Sequence, residues 1–176
     1  MDKNICSSIH MTSPGTFITV STEQTQALGT LLGTLLSAGD VLILTGDLGA
    51  GKTQLTKGIA AGMQITDDVT SPTFTIEMVY EGAHMPLYHF DLYRLSTPEQ
   101  LEDTGLYDVL DSDGPCVIEW GEQFVDEIGP DRMDVVITRL SQDGHTMEEP
   151  PRQISFIAHN DHMHHLVDQI SSHFCA

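Results

Sequence analysis

The stretch Gly46-Asp-Leu-Gly-Ala-Gly-Lys-Thr53 decides the fold, because it matches the phosphate-binding pattern G-x-x-x-x-G-K-[ST] at every fixed position. Its glycines permit backbone torsions that other residues rarely adopt, so that successive N–H groups can wrap a phosphate. A helix that begins at Lys52 adds free N–H groups and the positive end of its dipole. The expected nucleotide contacts are Gly46, Asp47, Leu48, Gly49, Ala50, Gly51, Lys52, Thr53 and Gln54.

Two side chains of this motif and one carboxylate further along the chain predict a Mg²⁺-nucleotide site. Lys52 can reach the β- and γ-phosphates of ATP, and the Thr53 hydroxyl can ligate Mg²⁺. Val117-Ile-Glu119 ends a second short apolar strand. An acid at the end of a strand next to such a loop commonly holds the metal, so Glu119 is the expected second ligand and a catalytic residue beside Lys52.

The alternation of strands and helices around the motif predicts an α/β phosphate-loop (P-loop) NTPase sandwich, with a mostly parallel central sheet flanked by helices. Apolar runs predict strands over 17–20, 41–45, 73–80, 87–92, 116–120, 134–140 and 153–158. Helices are expected over 21–37, 52–63, 122–128 and 161–174, with a helical or loop region over 98–110. We divide the chain into a disordered leader (1–15), an ATPase domain (16–160) and a C-terminal helix or tail (161–176).

Composition narrows the function classes. With 7 basic and 26 acidic side chains the net charge is −19, which disfavours independent binding to nucleic acid or to anionic lipid. No run is long and apolar enough for a membrane span, and residues 1–14 lack the apolar core of a secretory signal. The odd, widely spaced set Cys6, Cys116 and Cys175 fits a reduced, cytoplasmic protein.

Missing motifs exclude several nucleotide-binding classes. The chain has no Asn/Thr-Lys-x-Asp tetrapeptide for reading guanine and no Gly-Gly pair of the kind an ABC signature needs. The four arginines (Arg94, Arg132, Arg139 and Arg152) are scattered, whereas small-molecule kinases usually gather arginines in a lid. A small ATPase completed by partner proteins is favoured; a small-molecule kinase and a nucleotide-dependent interaction switch are the alternatives.

Four motifs in order give the chain a resemblance to a known family. They are the glycine motif at 46–53, Ser-Pro-Thr-Phe at 71–74, His-Phe-Asp-Leu-Tyr-Arg at 89–94 and Ile-Glu-Trp-Gly-Glu at 118–122. Over about residues 17–158 the chain resembles the TsaE (YjeE) family of bacterial ATPases that serve synthesis of threonylcarbamoyladenosine in tRNA. The resemblance implies an ATPase that acts on the TsaB–TsaD complex and resets it between turnovers, with tRNA contacted only through those partners.

The resemblance also implies roles for individual residues. Asp91 is the other important carboxylate, near the γ-phosphate, where it positions water or assists the metal. The loop 70–73 is similar to a switch that senses the γ-phosphate. Trp120 is a family mark with either a packing or a contact role, and Tyr93 and Arg94 are open between partner or phosphate contacts and surface roles. By family analogy the start of helix 21–37, with Glu23, Gln24 and Thr25, is expected near the adenine.

Two further features stay open at this stage. His162 and His165, spaced i, i+3 on a terminal helix, could bind a transition metal or form a solvated face. The stretch Glu99 to Asp134 holds twelve acidic side chains and one base, Arg132, which suits either a solvated surface or a docking face for a basic partner. The sequence does not predict the oligomeric state.

Overall fold

The chain forms eight strands and six α-helices within the residues described, 8–140 and 149–174, in a computed structural model. The strands are β1 (His10–Ser13), β2 (Thr16–Thr19), β3 (Val41–Thr45), β4 (Glu77–Tyr80), β5 (Leu87–Asp91), β6 (Cys116–Glu119), β7 (Met133–Arg139) and β8 (Arg152–Ala158). The helices are α1 (Thr22–Gly33), α2 (Lys52–Gly62), α3 (Pro98–Glu102), α4 (Leu106–Val109), α5 (Val125–Ile128) and α6 (Asp161–His173), with a 3₁₀ turn over Glu122–Phe124.

All eight strands join one mixed sheet in the order β1-β2-β8-β7-β3-β6-β5-β4. The α/β prediction is confirmed, but the mostly parallel sheet is wrong. Only the inner strands β7, β3, β6 and β5 pair in parallel, while the other four pairings are antiparallel. At the two edges of the sheet the reason is connection length, because β2 follows β1, and β5 follows β4, without a crossover helix.

Capping residues define where the long helices α1 and α6 begin. Ser21 caps α1 by accepting a hydrogen bond from the Gln24 N–H, and Asn160 caps α6 by accepting one from the Met163 N–H. Helix α1 ends at Gly33, earlier than the predicted end at residue 37. The two helices α1 and α2 approach so closely that a Cβ at Gly58 would clash with the α1 backbone.

Helices cover both faces of the sheet. One apolar cluster joins α1, α2 and α6 to residues such as Leu42, Leu44 and Val135. The other joins α3, α4 and Phe124 to Val41, Phe90 and Ile118. Successive residues of β3 therefore point into opposite clusters, as expected of a central strand buried on both sides.

The topology collects several chain segments at one end of the sheet, here called the carboxyl end. The parallel strands β3, β5, β6 and β7 all finish there, so Asp91 and Glu119, paired in register, lie beside the end of β3. Because β8 is antiparallel to β7, it begins at this end, with Arg152 opposite Arg139. Functional side chains of distant sequence positions therefore meet around residue 46.

The chain ends differ in part from expectation. The disordered leader predicted over 1–15 is wrong for His10–Ser13, which pairs with β2 as β1; residues 1–7 lie outside those described. The terminal helix agrees with its prediction as Asp161–His173. Residues 141–148, between β7 and β8, also lie outside the described residues. Within 8–140 and 149–174, no helix is long and apolar enough to cross a membrane.

Between these ends, two predicted elements are shorter or broken. The strand expected from Thr73 begins only at Glu77, and the region 98–110 forms the short helices α3 and α4. The turn residue Gly82 between the runs 73–80 and 87–92 predicts a hairpin, and the antiparallel pairing of β4 with β5 confirms it.

Candidate functional site

The glycine loop, residues 46–53, connects β3 directly to α2. Gly51 occupies the N-cap of α2 with φ of 116°, a left-handed conformation that favours glycine. The first N–H groups of a helix have no partner within the helix, so they are available to an anion. Beside the loop lies a cleft of about 440 Å³, lined by Thr22, Leu48, Gly49, Gly51, Lys52, Thr53, Gln54, Ser71, Thr73, Asp91, Glu119, Trp120 and Arg152.

Lys52 is folded back onto the loop that carries it. Its side chain is 5% exposed, and Nζ donates to the carbonyls of Gly46 at 2.6 Å and Asp47 at 3.2 Å. The ammonium also lies 3.8 Å from the centre of the Trp120 ring. Burial lowers the pKa of Lys52, and the nearby acids, Glu119 foremost, oppose that shift. The amine is thus held at the cleft by weak acceptors that a phosphate can replace.

Thr53 and Glu119 meet as the sequence predicts. Thr53 Oγ1 donates to Glu119 Oε1 at 2.9 Å, although the two residues are 66 positions apart. The same oxygen lies 3.0 Å from His89 Nε2, and His89 is fully buried. Since an ionised carboxylate only accepts hydrogen bonds, Nε2 carries the proton. The Nδ1 atom of His89 has no hydrogen-bond partner in the described part of the chain.

Asp91, 2% exposed, lies at the end of β5 beside Glu119 and receives three hydrogen bonds. Ser71 Oγ and Thr73 Oγ1 donate to Oδ2 at 3.0 and 2.5 Å, and the Tyr93 N–H donates to Oδ1 at 3.0 Å. The loop predicted as a switch therefore contacts the predicted water-positioning carboxylate directly. The catalytic roles of these residues remain predictions.

An aromatic pair and an exposed loop border the cleft. Trp120 has a left-handed φ of 59°, directly after Glu119, and its ring lies 5.1 Å from that of Tyr93. Arg94 lies over the ring of Phe74, which is 87% exposed. Trp120 thus contacts Lys52 in the cleft, whereas Arg94 contacts Phe74 and does not line the cleft.

Two arginines that look scattered in the sequence converge on the glycine loop, which corrects that interpretation. Arg139 donates to the Gly49 carbonyl through Nε at 3.1 Å. Arg152 donates to the Ala50 carbonyl through Nε, also at 3.1 Å. No local motif marks either residue; the signal is their position at the end of β7 and the start of β8, which only the strand pairing reveals.

The residues expected near adenine have other partners. Gln24 accepts from the Val20 N–H and donates to Ser8, and Thr25 shares a hydrogen bond with Thr19. Glu23 is exposed and, like them, does not line the cleft, whereas Thr22 does. The adenine-contact prediction thus finds no support in the geometry.

The histidine tail does not line the cleft, and of the acidic side chains in the stretch 99–134 only Glu119 does. His162 Nε2 contacts Asp40 Oδ1 at 2.8 Å, and no group of three or more metal-ligating side chains occurs among the residues described. In the stretch 99–134, Glu119 is buried in the cleft, whereas Glu99, Asp103 and Asp111 are exposed. The transition-metal alternative for the tail therefore lacks a ligand set in this part of the chain.

The donor chemistry of the cleft suits a magnesium nucleotide. Thr53 and Glu119 offer hydroxyl and carboxylate oxygens, the ligands that Mg²⁺ prefers. Lys52 and the first turn of α2 offer positive charge and N–H groups to phosphate oxygens. Asp91 adds an acceptor that can orient a water molecule.

Comparison with known proteins identifies the family of the chain. The family model "Threonylcarbamoyl adenosine biosynthesis protein TsaE" matches residues 19–148. The tRNA threonylcarbamoyladenosine biosynthesis protein TsaE of Bacillus subtilis is 39% identical over 155 residues, covering 88% of this chain and 92% of that protein. The TsaE protein of Treponema pallidum is 43% identical over 124 residues, covering 70% and 90%.

A solved structure has a similar fold. The crystal structure of Bacillus subtilis YdiB superimposes with a TM-score of 0.76 and 36% identity, over 93% of this chain and 98% of that one. Since the family model covers most of the chain and the relatives match over nearly their whole length, the chain belongs to the TsaE family of threonylcarbamoyl adenosine biosynthesis proteins.

Proposed function

We propose that this protein binds ATP with Mg²⁺ in the cleft beside the glycine loop and hydrolyses it in support of tRNA threonylcarbamoyladenosine synthesis, acting on the TsaB–TsaD complex. The observation that carries the proposal is the meeting of Lys52, Thr53, Glu119 and Asp91 in one cleft of about 440 Å³. These four side chains come from α2, β6 and β5 and supply a cation, two oxygen ligands and a water-orienting acceptor.

Binding would begin at the loop. Phosphate oxygens accept from the N–H groups at the start of α2, and Lys52 Nζ exchanges the Gly46 and Asp47 carbonyls for the β- and γ-phosphates. A negative phosphate is a stronger acceptor than a backbone carbonyl, so the exchange favours the nucleotide. Thr53 and Glu119 would hold Mg²⁺, which supplies neutralisation of charge on the phosphates.

Hydrolysis would depend on the carboxylate next to Glu119. Asp91, fixed by Ser71, Thr73 and the Tyr93 N–H, can orient a water molecule toward the γ-phosphate. Since Ser71 and Thr73 belong to the loop 70–73, a change at Asp91 on phosphate release would be passed to that loop. Such coupling offers partner proteins a way to sense the state of the nucleotide.

The net charge supports an indirect role toward tRNA. A surface of net charge −19 repels a phosphate backbone, so the proposal leaves tRNA binding to TsaB and TsaD. The protein would then contribute nucleotide turnover rather than RNA recognition.

The test compares Lys52→Ala with Lys57→Ala, a matched control on the same helix. Lys57 lies on the outside of α2, 3.2 Å from Asp68, and its side chain is 33% exposed. We expect Lys52→Ala to weaken ATP binding about 100-fold, since it removes a charged contact to the phosphates. Lys57→Ala should bind like the wild type. Fluorescence of Trp120, the only tryptophan, reports binding directly.

Turnover is measured as phosphate release with and without TsaB, TsaD and tRNA. We expect release by wild type and Lys57→Ala that rises when the partners are present, and none above background with Lys52→Ala. Equal phosphate release by Lys52→Ala and wild type would refute the proposal. Phosphate transfer to a metabolite instead of water would favour a kinase.

A further inference from the structure

Arg152 is a buried cation at the edge of the cleft that the catalytic proposal does not use. It is the first residue of β8, it is 8% exposed, and it lines the cleft beside Gly51. Its Nε is bound to the Ala50 carbonyl, and a Cβ placed on Gly51 would lie 3.4 Å from that Nε. The guanidinium therefore packs directly against the residue that caps α2.

The guanidinium of Arg152 has an unpaired nitrogen and no carboxylate partner among the described residues. Nη1 of Arg152 is buried and has no hydrogen-bond partner in the described residues. None of the salt bridges formed by residues 8–140 and 149–174 includes Arg152, although the chain carries 26 acidic side chains. A buried charge without a counter-charge is costly, so its retention in a cleft points to an anionic ligand.

The position of Arg152 indicates which part of a ligand it would meet. In the strand order β8-β7-β3-β6-β5, Arg152 lies on the opposite side of the glycine loop from Glu119 and Asp91. Metal and hydrolytic groups are thus on one side, and this arginine is on the other. A planar guanidinium matches the oxygen pair of a phosphate in two parallel hydrogen bonds, whereas an uncharged base would leave its charge unbalanced.

The cations of the chain are concentrated at this loop. Three of its seven basic side chains, Lys52, Arg139 and Arg152, donate to backbone carbonyls of the glycine loop. In a protein of net charge −19, this brings three cations to one loop. Acidic side chains also lie near enough to Lys52 to interact with its charge, namely Asp47, Asp91, Glu119 and Glu122. Of the two arginines, Arg139 is exposed and Arg152 is buried, so Arg152 gains more from an anion.

We propose that Arg152 binds a phosphate oxygen of the nucleotide through its guanidinium, on the side of the glycine loop away from the carboxylates. This inference rests on the proposed nucleotide binding and adds to it a contact from β8, outside the sequence motif. In this role Arg152 would be a second cation that contacts the phosphates. Its hydrogen bond from Nε to the Ala50 carbonyl would hold it beside the loop that also carries Lys52.

The test measures affinity for ATP and for inorganic tripolyphosphate, which carries the phosphates without base or ribose. Variants are Arg152→Met, Arg152→Lys and the control Arg132→Met. Arg132 immediately precedes β7, at the opposite end of the sheet from Arg152, and contacts Asp134. We expect Arg152→Met to weaken both ligands about 10- to 100-fold and Arg152→Lys to weaken them about 5-fold or more. The control should match the wild type.

Thermal unfolding without ligand distinguishes a role of Arg152 in phosphate binding from a role limited to stabilising the glycine loop. If Arg152 only braces the loop, Arg152→Met lowers the unfolding temperature but binds both ligands as the wild type does, and the inference is overturned. Loss of ATP affinity with unchanged tripolyphosphate affinity also overturns it, because the contact would then be to base or ribose. If Arg152→Met does not fold, unchanged affinity of Arg152→Lys for tripolyphosphate overturns it.

These results are distinguishable from failure of the proposed function. Wild-type protein that binds neither ATP nor tripolyphosphate refutes the nucleotide site itself. Wild-type binding that is lost in Lys52→Ala but unchanged in Arg152→Met and Arg152→Lys leaves the nucleotide site standing and refutes the role of Arg152 alone.

Discussion

Replacement of His89 tests whether Glu119 is held ready for a metal. His89 is fully buried, and its Nε2 donates one of the two hydrogen bonds that Glu119 Oε1 receives, the other coming from Thr53. We expect His89→Leu to raise the Mg²⁺ concentration needed for half-saturation. His89→Gln, whose amide nitrogen can occupy a place near Nε2, should restore most of the wild-type behaviour.

The size of the effect follows from the lost contact. A hydrogen bond to a carboxylate contributes about 1.5–3 kcal/mol, and removing a residue that orients a metal ligand typically costs about 10- to 100-fold in metal affinity. We therefore expect a shift of at least about tenfold in the Mg²⁺ midpoint. The free energy of unfolding should also fall by about 1–3 kcal/mol, since Glu119 stays buried with one donor fewer.

The assay is a Mg²⁺ titration of Trp120 fluorescence at a fixed ATP concentration, with ATP affinity in the absence of Mg²⁺ as the internal control. A role limited to folding would change the unfolding temperature without moving the Mg²⁺ midpoint of the folded fraction. If folded His89→Leu showed the wild-type midpoint, His89 would not orient a metal ligand and the reasoning would be refuted.

Three further predictions concern single residues. Asp91→Asn should retain ATP affinity within about threefold but lose about 100-fold or more in the rate of phosphate release. The amide keeps the shape of the carboxylate but loses its negative charge. Parallel measurements of ATP binding and of phosphate release test this prediction. Burial lowers the pKa of Lys52, so its cost to folding is fully present below that pKa and disappears as pH rises toward about 10.4, the ordinary lysine value. Wild-type protein should therefore gain stability relative to Lys52→Met between neutral and alkaline pH in urea unfolding, and a constant difference would contradict this. Burial also raises the pKa of the Cys116 thiol, so iodoacetamide should modify Cys116 only after unfolding, as peptide mass spectrometry can check.

Local patterns were sufficient for the centre of the fold and of the candidate site. The glycine motif and the apolar run before it place β3, the loop and α2 correctly, because both depend on neighbouring residues. Glu119 follows from the same reasoning, since an acid at the end of a buried parallel strand must lie at the carboxyl end of the sheet. Its contact with Thr53 confirms that placement.

Features that depend on strand pairing were not predictable in this way. The mixed character of the sheet comes from the edge hairpins β1–β2 and β4–β5 and from β8, which is antiparallel to both of its neighbours. Strand β1 has little apolar content because it is an exposed edge strand. Arg152 lies about a hundred positions from the loop it contacts, and only the antiparallel return of β8 brings it there. His89 looks like any strand residue until its pairing with Glu119 is known.

The most direct test of the central claim, that ATP turnover in this cleft sustains tRNA modification, counts threonylcarbamoyladenosine in tRNA by mass spectrometry. The reaction contains unmodified tRNA, a threonylcarbamoyl donor, ATP with Mg²⁺, TsaB, TsaD and either wild-type protein, Lys57→Ala or Lys52→Ala. We expect wild type and Lys57→Ala to give modified tRNA in excess over the TsaB–TsaD complex, and Lys52→Ala to give no more than the amount of that complex. Modified tRNA accumulating equally with Lys52→Ala would contradict the claim.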